Sequence, residues 1–239
     1  MLNIERPEDR IPEDTFALFF LGFRPFFSLA GLSAVILILL WIPFLSGHIA
    51  LNDYYGLIGW HAHEMIFGYS LAVIAGFLLT AARNWTSMAT PSGAPLIGLT
   101  LVWLAGRLLS SVDLGQPDWL TAAVDLSFAP LVMVGLAKPL LAAKVMRNIV
   151  FLVILSLFTI ANLLMHLDAV GLSDTAPLGV QMGLSLVILV IVVLGGRVIP
   201  FFTRNPLPGM EPRQWPVIEV ASVVGVILVI LADLLSLPV

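Results

Sequence analysis

Three long stretches of this sequence contain no aspartate, glutamate, lysine or arginine, and they constrain the fold more than any other feature. The stretches cover residues 25–52, 148–167 and 175–196. Each is long enough to cross a bilayer, because a spanning α-helix needs roughly 20 mostly apolar residues. Only 11% of the 239 residues are charged, whereas a soluble domain carries about 25% charged residues. The sequence therefore predicts an integral membrane protein whose main partner is the lipid bilayer.

The apolar runs are continuous, which favours helices over the strands of a membrane barrel, since barrel strands alternate in polarity over about ten residues. We predict an all-α, polytopic transmembrane helix bundle of about seven spans, joined by short segments in which proline and glycine mark turns. The predicted spans cover residues 28–45, 57–82, 95–110, 119–137, 148–167, 177–198 and 217–237. We accordingly expect an N-terminal tail at residues 1–27 and a transmembrane helical domain at residues 28–239.

The positions of the eleven basic residues predict an orientation, because lysine and arginine are retained on the cytoplasmic side of a membrane. Ten of them fall on alternate segments of a seven-span chain: Arg6, Arg10, Arg24, Arg83, Lys138, Lys144, Arg147, Arg197, Arg204 and Arg213. The other is Arg107, near the end of the third span. We therefore expect the tail at residues 1–27, and the N-terminus with it, to be cytoplasmic.

The sequence contains no cysteine. This excludes disulfides, cysteine-ligated iron–sulfur clusters, covalent attachment of c-type haem and thiol catalysis. A metal would have to be bound by histidine, methionine, carboxylate or carbonyl groups. We expect no nucleic-acid partner.

Two histidines, a glutamate and a methionine lie close together near the start of the second span. Imidazole is a good ligand for haem iron and copper, and a thioether such as that of Met65 suits copper(I) or haem. Residues three or four apart share one face of a helix, so His61 shares a face with Glu64 and Met65, whereas His63 faces the side of Phe67. We expect one histidine to be a ligand and the other to support it or to bind a second centre. A histidine that is only hydrogen-bonded at the membrane interface is the open alternative.

His166 lies near the end of the fifth span, on the same side of the membrane as His61 by the distribution of basic residues. It is four residues from Asn162, so these two side chains share a face of the helix. Two histidines at similar depth on separate helices are what axial ligation of a haem requires. The alternative is a helix-end histidine that meets water and the last carbonyl groups.

Asp125 lies about two turns inside the fourth span, where an unpaired carboxylate would be costly or would take up a proton. Arg107 lies on the same side of the membrane and is a candidate counter-ion. A second intramembrane site or a proton path would also explain the carboxylate. We favour a structural ion pair.

Two segments, residues 22–27 and 196–202, are similar to one another. Each contains a glycine, an arginine, a proline and an aromatic pair close to the membrane surface, with Arg24 in the first and Arg197 in the second. Arginine and aromatic residues commonly anchor the ends of spanning helices, which accounts for most of the similarity. The segments are too short to establish an internal repeat.

Four parts of the sequence together form a specific combination. They are residues 22–27, residues 61–68, residues 75–80 with 84–86, and residues 195–203. This combination resembles the NnrS family of polytopic, haem- and copper-containing membrane proteins linked to the bacterial response to nitric oxide. The resemblance implies a bacterial inner membrane, haem and copper as cofactors and nitric oxide as a ligand. It also implies a binding role for His61, His63 and His166, which match histidine positions of the family.

Family members typically have more spans than the seven predicted here, so the resemblance covers an N-terminal seven-span portion. We expect the transmembrane domain to be incomplete relative to the family. On this expectation the chain is a truncated product, or a short variant to which a partner supplies the missing helices.

The first functional hypothesis is a haem- and copper-binding membrane protein of the response to nitric oxide and nitrosative stress, with enzymatic turnover left open. One alternative is a membrane transporter or channel, in which Asp125, Glu64 and the histidines line a polar path. Another is a non-catalytic membrane assembly subunit. A Soret band in the visible spectrum would favour the first hypothesis, and its absence would favour the others.

Overall fold

The computed structural model describes residues 17–204 and 215–236. Within these residues the chain is helical and has no strands. Seven of its helices are long and apolar enough to cross a bilayer, and each overlaps one of the seven predicted spans. The predicted all-α, polytopic transmembrane fold is therefore confirmed.

The first span follows a short 3-10 helix at Ala17–Phe19. The α-helices are α1 (Phe23–Leu45), α2 (Gly56–His63), α3 (Leu71–Thr86), α4 (Ala94–Ser111), α5 (Asp118–Ala142), α6 (Met146–Ala169), α7 (Ala176–Arg204) and α8 (Pro216–Ser236). A π-helical segment, Glu64–Ser70, joins α2 to α3. These three elements form one continuous span, Gly56–Thr86.

The first span begins earlier than predicted. The change from polar to apolar residues in the sequence predicts a start at residue 28. Helix α1 starts at Phe23, so residues 23–27 are helical. Pro25 is the third residue of this helix, and proline is tolerated in a first turn because its missing N–H has no partner within the helix.

The sixth span ends later than predicted. Helix α7 continues through Pro200 to Arg204, so Arg197 lies on the helix and not in the segment between two spans. Arg213, which was expected in that segment, lies outside the described residues.

The chain divides into two compact units, Met1–Ser156 and Leu157–Val239. In the first unit, α3 packs against both α1 and α5, and α4 packs against α5. Helices α1 and α3 approach closely at Gly76, where an added Cβ atom would lie 2.8 Å from the Cβ of Phe26. Buried apolar residues such as Leu79, Val132 and Leu136 fill the space between these helices.

In the second unit, α7 packs against α8 and against the end of α6. Gly179 allows the contact with α6, because an added Cβ atom would lie 2.7 Å from the carbonyl oxygen of Ala161. Helix α8 exposes apolar side chains such as Val217 and Val220. Exposed apolar side chains are what a lipid-facing helix requires.

Candidate functional site

The span Gly56–Thr86 changes its helical form directly after His63. From Glu64 to Ser70 the backbone is π-helical, a form whose hydrogen bonds join residues five apart. The hydroxyl of Ser70 follows the same spacing and donates a hydrogen bond to the carbonyl oxygen of Met65 at 2.8 Å. π-Helical turns inside α-helices occur frequently at functional sites.

Side chains of α4 bind the backbone of this π-helical segment. Arg107 donates from Nη1 to the carbonyl oxygen of Phe67 at 3.1 Å. Trp103 donates from Nε1 to the carbonyl oxygen of Gly68 at 3.0 Å. Because buried carbonyl groups need hydrogen-bond partners, these two donors stabilise a backbone form that is rare in proteins.

His63 is fully buried and lies between two carboxylates of the first unit. Its Nδ1 is 3.3 Å from Oε1 of Glu64, and its Nε2 is 3.1 Å from Oδ2 of Asp125. Tyr55 stacks on the imidazole with a centroid separation of 4.2 Å. The ring of Phe67 lies 5.3 Å from the imidazole, in agreement with the predicted facing of His63.

Arg107 is the counter-ion of both carboxylates. Its guanidinium forms an ion pair with Asp125 and another with Glu64, where Nε lies 2.9 Å from Oε2. Ser110 also donates a hydrogen bond to Oε1 of Glu64 at 2.8 Å. The two carboxylates are almost completely buried and would be strongly destabilising without such partners. The ion pair predicted between Arg107 and Asp125 is therefore present, and Glu64 forms a second ion pair with the same guanidinium.

The geometry of this network limits which of its groups carry protons. Both ring nitrogens of His63 face carboxylate oxygens, whereas a neutral imidazole carries only one N–H. Both contacts are hydrogen bonds only when the ring is doubly protonated or when one carboxyl group is protonated. Tyr55, which precedes the span, adds no charge, because burial, followed by the negative charge of Asp125, raises its pKa well above the ordinary value. The network can thus hold a second proton between His63 and its two carboxylates.

His61 has quite different surroundings from His63. Its ring stacks on Trp41 of α1, with centroids 4.2 Å apart and an interplanar angle of 16°. Its Nδ1 is buried and has no hydrogen-bond partner in the described part of the chain. Met65, four residues later, is half-buried. A buried imidazole nitrogen without a partner has a lone pair or a proton that a ligand could satisfy.

Glu64 belongs to the network around His63. Its carboxylate contacts His63, Arg107 and Ser110. The prediction that Glu64 shares a helix face with His61 stays a prediction, since these contacts concern the end of the Glu64 side chain.

The remaining predicted residues lie elsewhere. His166 and Asn162 are on α6 in the second unit, where both are buried and, being four apart, share a face of the helix. Arg197 is on α7 of the same unit. Arg24 is in the first turn of α1, in the first unit.

Four residues around the two histidines were not predicted: Trp41, Tyr55, Trp103 and Ser110. Two of them carried a usable signal, because Trp103, Arg107 and Ser110 are spaced by four and three residues and so share one face of α4. Tyr55 and Trp41 contact their histidines through tertiary packing, for which the sequence has no local signal.

The donors in the first unit fit haem iron or copper in their chemistry. His61 offers an imidazole nitrogen that no described protein group satisfies, and Met65 offers a thioether. His63 fits a supporting role more closely, since both its nitrogens already face carboxylates. Histidines that bind metals commonly donate their other N–H to a carboxylate, so binding through His63 would require one of these contacts to be exchanged.

Comparison with known proteins identifies the family. Neither a curated protein nor a solved structure matches the chain. The family model described as NnrS protein matches residues 17–239. The match includes both histidines of α2, the π-helical segment and the helices that carry Arg107 and Asp125. The chain therefore belongs to the NnrS family.

Proposed function

We propose that this chain is a haem- and copper-binding protein of a bacterial inner membrane that acts in the response to nitric oxide and nitrosative stress. The observation that carries the proposal is the NnrS match over residues 17–239. Seven apolar helices support a multi-pass location in the membrane. The distribution of lysine and arginine supports a cytoplasmic N-terminus.

Within this function we propose that His61 is a metal ligand and that His63 belongs to the network that supports it. The support is the contrast in their ring nitrogens: one of His61 is buried and unsatisfied, whereas both of His63 face carboxylates. Stacking on Trp41 orients the imidazole of His61. Met65 is a further candidate ligand, and His166 remains one on the sequence argument alone. When bound, haem or copper supplies a metal position at which nitric oxide can coordinate.

The proposal is tested by purifying the full chain from cells supplied with copper and a haem precursor. We expect stoichiometric haem or copper in the protein, and a shift of its absorption bands when nitric oxide is added without oxygen. A folded protein that contains neither cofactor would contradict the proposal. That result would favour a transporter, a channel or an assembly subunit.

The proposed orientation has its own test in reporter fusions. Alkaline phosphatase fused after Val239 should be active, because seven spans place that end outside the cytoplasm. The same enzyme fused after Arg147 should be inactive. The reverse pattern would contradict a cytoplasmic N-terminus.

A further inference from the structure

An open cavity of about 660 Å³ lies in the first unit, beside the start of α1. Cavities that bind small ligands usually measure about 300–1,000 Å³, so this one is large enough for part of a lipid molecule. It is lined by Ala17, Leu18, Phe23, Arg24, Phe27 and Ser28. Arg24 supplies the only charge among these residues.

Arg24 uses little of its capacity to donate hydrogen bonds. Its Nη1 donates to the carbonyl oxygen of Ala17 at 3.3 Å. Its Nε is buried and has no hydrogen-bond partner, and no ion pair joins Arg24 to any residue that the structure describes. A guanidinium carries five N–H donors, so those of Arg24 that have no partner among the described residues can bind an anion.

The walls around this cation are apolar. Phe23 and Phe27 are partly exposed and pack edge to face, with centroids 6.1 Å apart. The guanidinium carbon of Arg24 lies 5.9 Å from the centroid of Phe23. A ligand that fills this cavity would therefore place a negative group against Arg24 and hydrocarbon against the aromatic rings.

The cavity also lies at the end of a helix that is long and apolar enough to cross a bilayer. Helix α1 is one of the spans and begins at Phe23, so Arg24 occupies its first turn. Arginine and aromatic side chains at the ends of spans reach the layer of lipid headgroups, where phosphate groups are abundant. The planar guanidinium binds phosphate through two parallel hydrogen bonds.

We propose that this cavity binds the phosphate group of an anionic phospholipid, with Arg24 as the donor and Phe23 and Phe27 in contact with the glycerol and upper acyl chains. The apolar walls favour a lipid phosphate over a free phosphate ion. The site is separate from the histidines and does not depend on the proposed haem or copper.

Native mass spectrometry of the full chain tests the proposal, with phosphatidylglycerol titrated into detergent-purified protein. The first bound lipid should dissociate about fivefold more readily from Arg24→Gln, because one basic side chain at a membrane surface contributes about 1 kcal/mol to anionic lipid binding. Ser28→Trp occupies part of the cavity and keeps Arg24, so it should weaken binding as well. Arg147→Gln is the matched control, because Arg147 is also the second residue of a spanning helix but is exposed. It should leave binding unchanged.

Three results would overturn the proposal. Arg24→Gln could bind phosphatidylglycerol as tightly as the wild type, which would remove Arg24 from the site. Arg147→Gln could lose as much binding, which would indicate a general effect of surface charge. Inorganic phosphate at millimolar concentration could displace the lipid, which would assign the cavity to free phosphate.

Discussion

Two arginines of the first unit show how the same side chain can serve different purposes in one set of packed helices. Arg107 lies inside a span, where its side chain is 11% exposed and forms ion pairs with Glu64 and Asp125. Arg24 lies at the end of a span, where it donates to one carbonyl group and lines an open cavity. The difference follows from depth, because a charge within the hydrocarbon layer needs protein partners and a charge at the surface can bind water or headgroups. We therefore expect Arg107 to determine stability and Arg24 to determine binding.

The largest effect should follow the removal of Arg107. Arg107→Met leaves Glu64 and Asp125 buried without their counter-ion, and breaking a buried ion pair costs about 3–5 kcal/mol. Thermal unfolding in detergent, followed by tryptophan fluorescence, should show a large fall in the midpoint, or the variant should fail to accumulate. Arg147→Met is the control, since Arg147 is exposed, and it should unfold like the wild type. Equal midpoints for the two variants would show that the network does not stabilise the fold.

A smaller effect should come from adding one methyl group beside the network. At Gly106 an added Cβ atom would lie 2.8 Å from Oδ1 of Asp125, whereas at Gly98 of the same helix it would meet nothing within 4 Å. Gly106→Ala should therefore cost about 1–3 kcal/mol through overpacking. Gly98→Ala should be neutral or stabilise the helix by up to about 1 kcal/mol.

Chemical or thermal unfolding of the two alanine variants measures this difference. The comparison is informative because both changes are identical in chemistry and lie on α4, two turns apart. If both variants were equally stable, the close packing of α4 against Asp125 would be disproved.

The smallest effect on stability should come from Arg24. Arg24→Gln removes a side chain that has no ion pair among the described residues, so the free energy of unfolding should change by no more than about 0.5 kcal/mol. The same thermal unfolding experiment measures it. A loss as large as that of Arg107→Met would mean that Arg24 is structural and would remove the contrast between the two arginines.

The sequence predicts the spans well because the cost of placing charged groups in hydrocarbon leaves a strong signal. An apolar run such as residues 148–167 would cost free energy if it were exposed to water, so the bilayer is the favourable place for it. Helical spacing also predicts the contact of His63 with Phe67. The opposite charges of Arg107 and Asp125, and their position on the same side of the membrane, predict their ion pair.

The remainder depends on backbone geometry and on packing between helices. The π-helical segment has no signature in hydropathy, and the two side chains that donate hydrogen bonds to its carbonyl groups, Trp103 and Arg107, lie far away in the sequence. The sequence does not predict that α1 starts at Phe23, because Arg24 is a charged residue and yet lies on the helix. The stacking of Trp41 on His61 likewise arises only when α1 meets α2.

We propose that His61 binds a metal, whereas His63 is held by the carboxylates of Glu64 and Asp125. The most direct measurement is the visible spectrum and the copper content of His61→Ala, compared with His48→Ala, which changes an exposed histidine outside the helices. We expect His61→Ala to accumulate normally but to lose or shift its Soret band or to lose copper, and we expect His48→Ala to match the wild type. A folded His61→Ala variant with the spectrum and copper content of the wild type would contradict it.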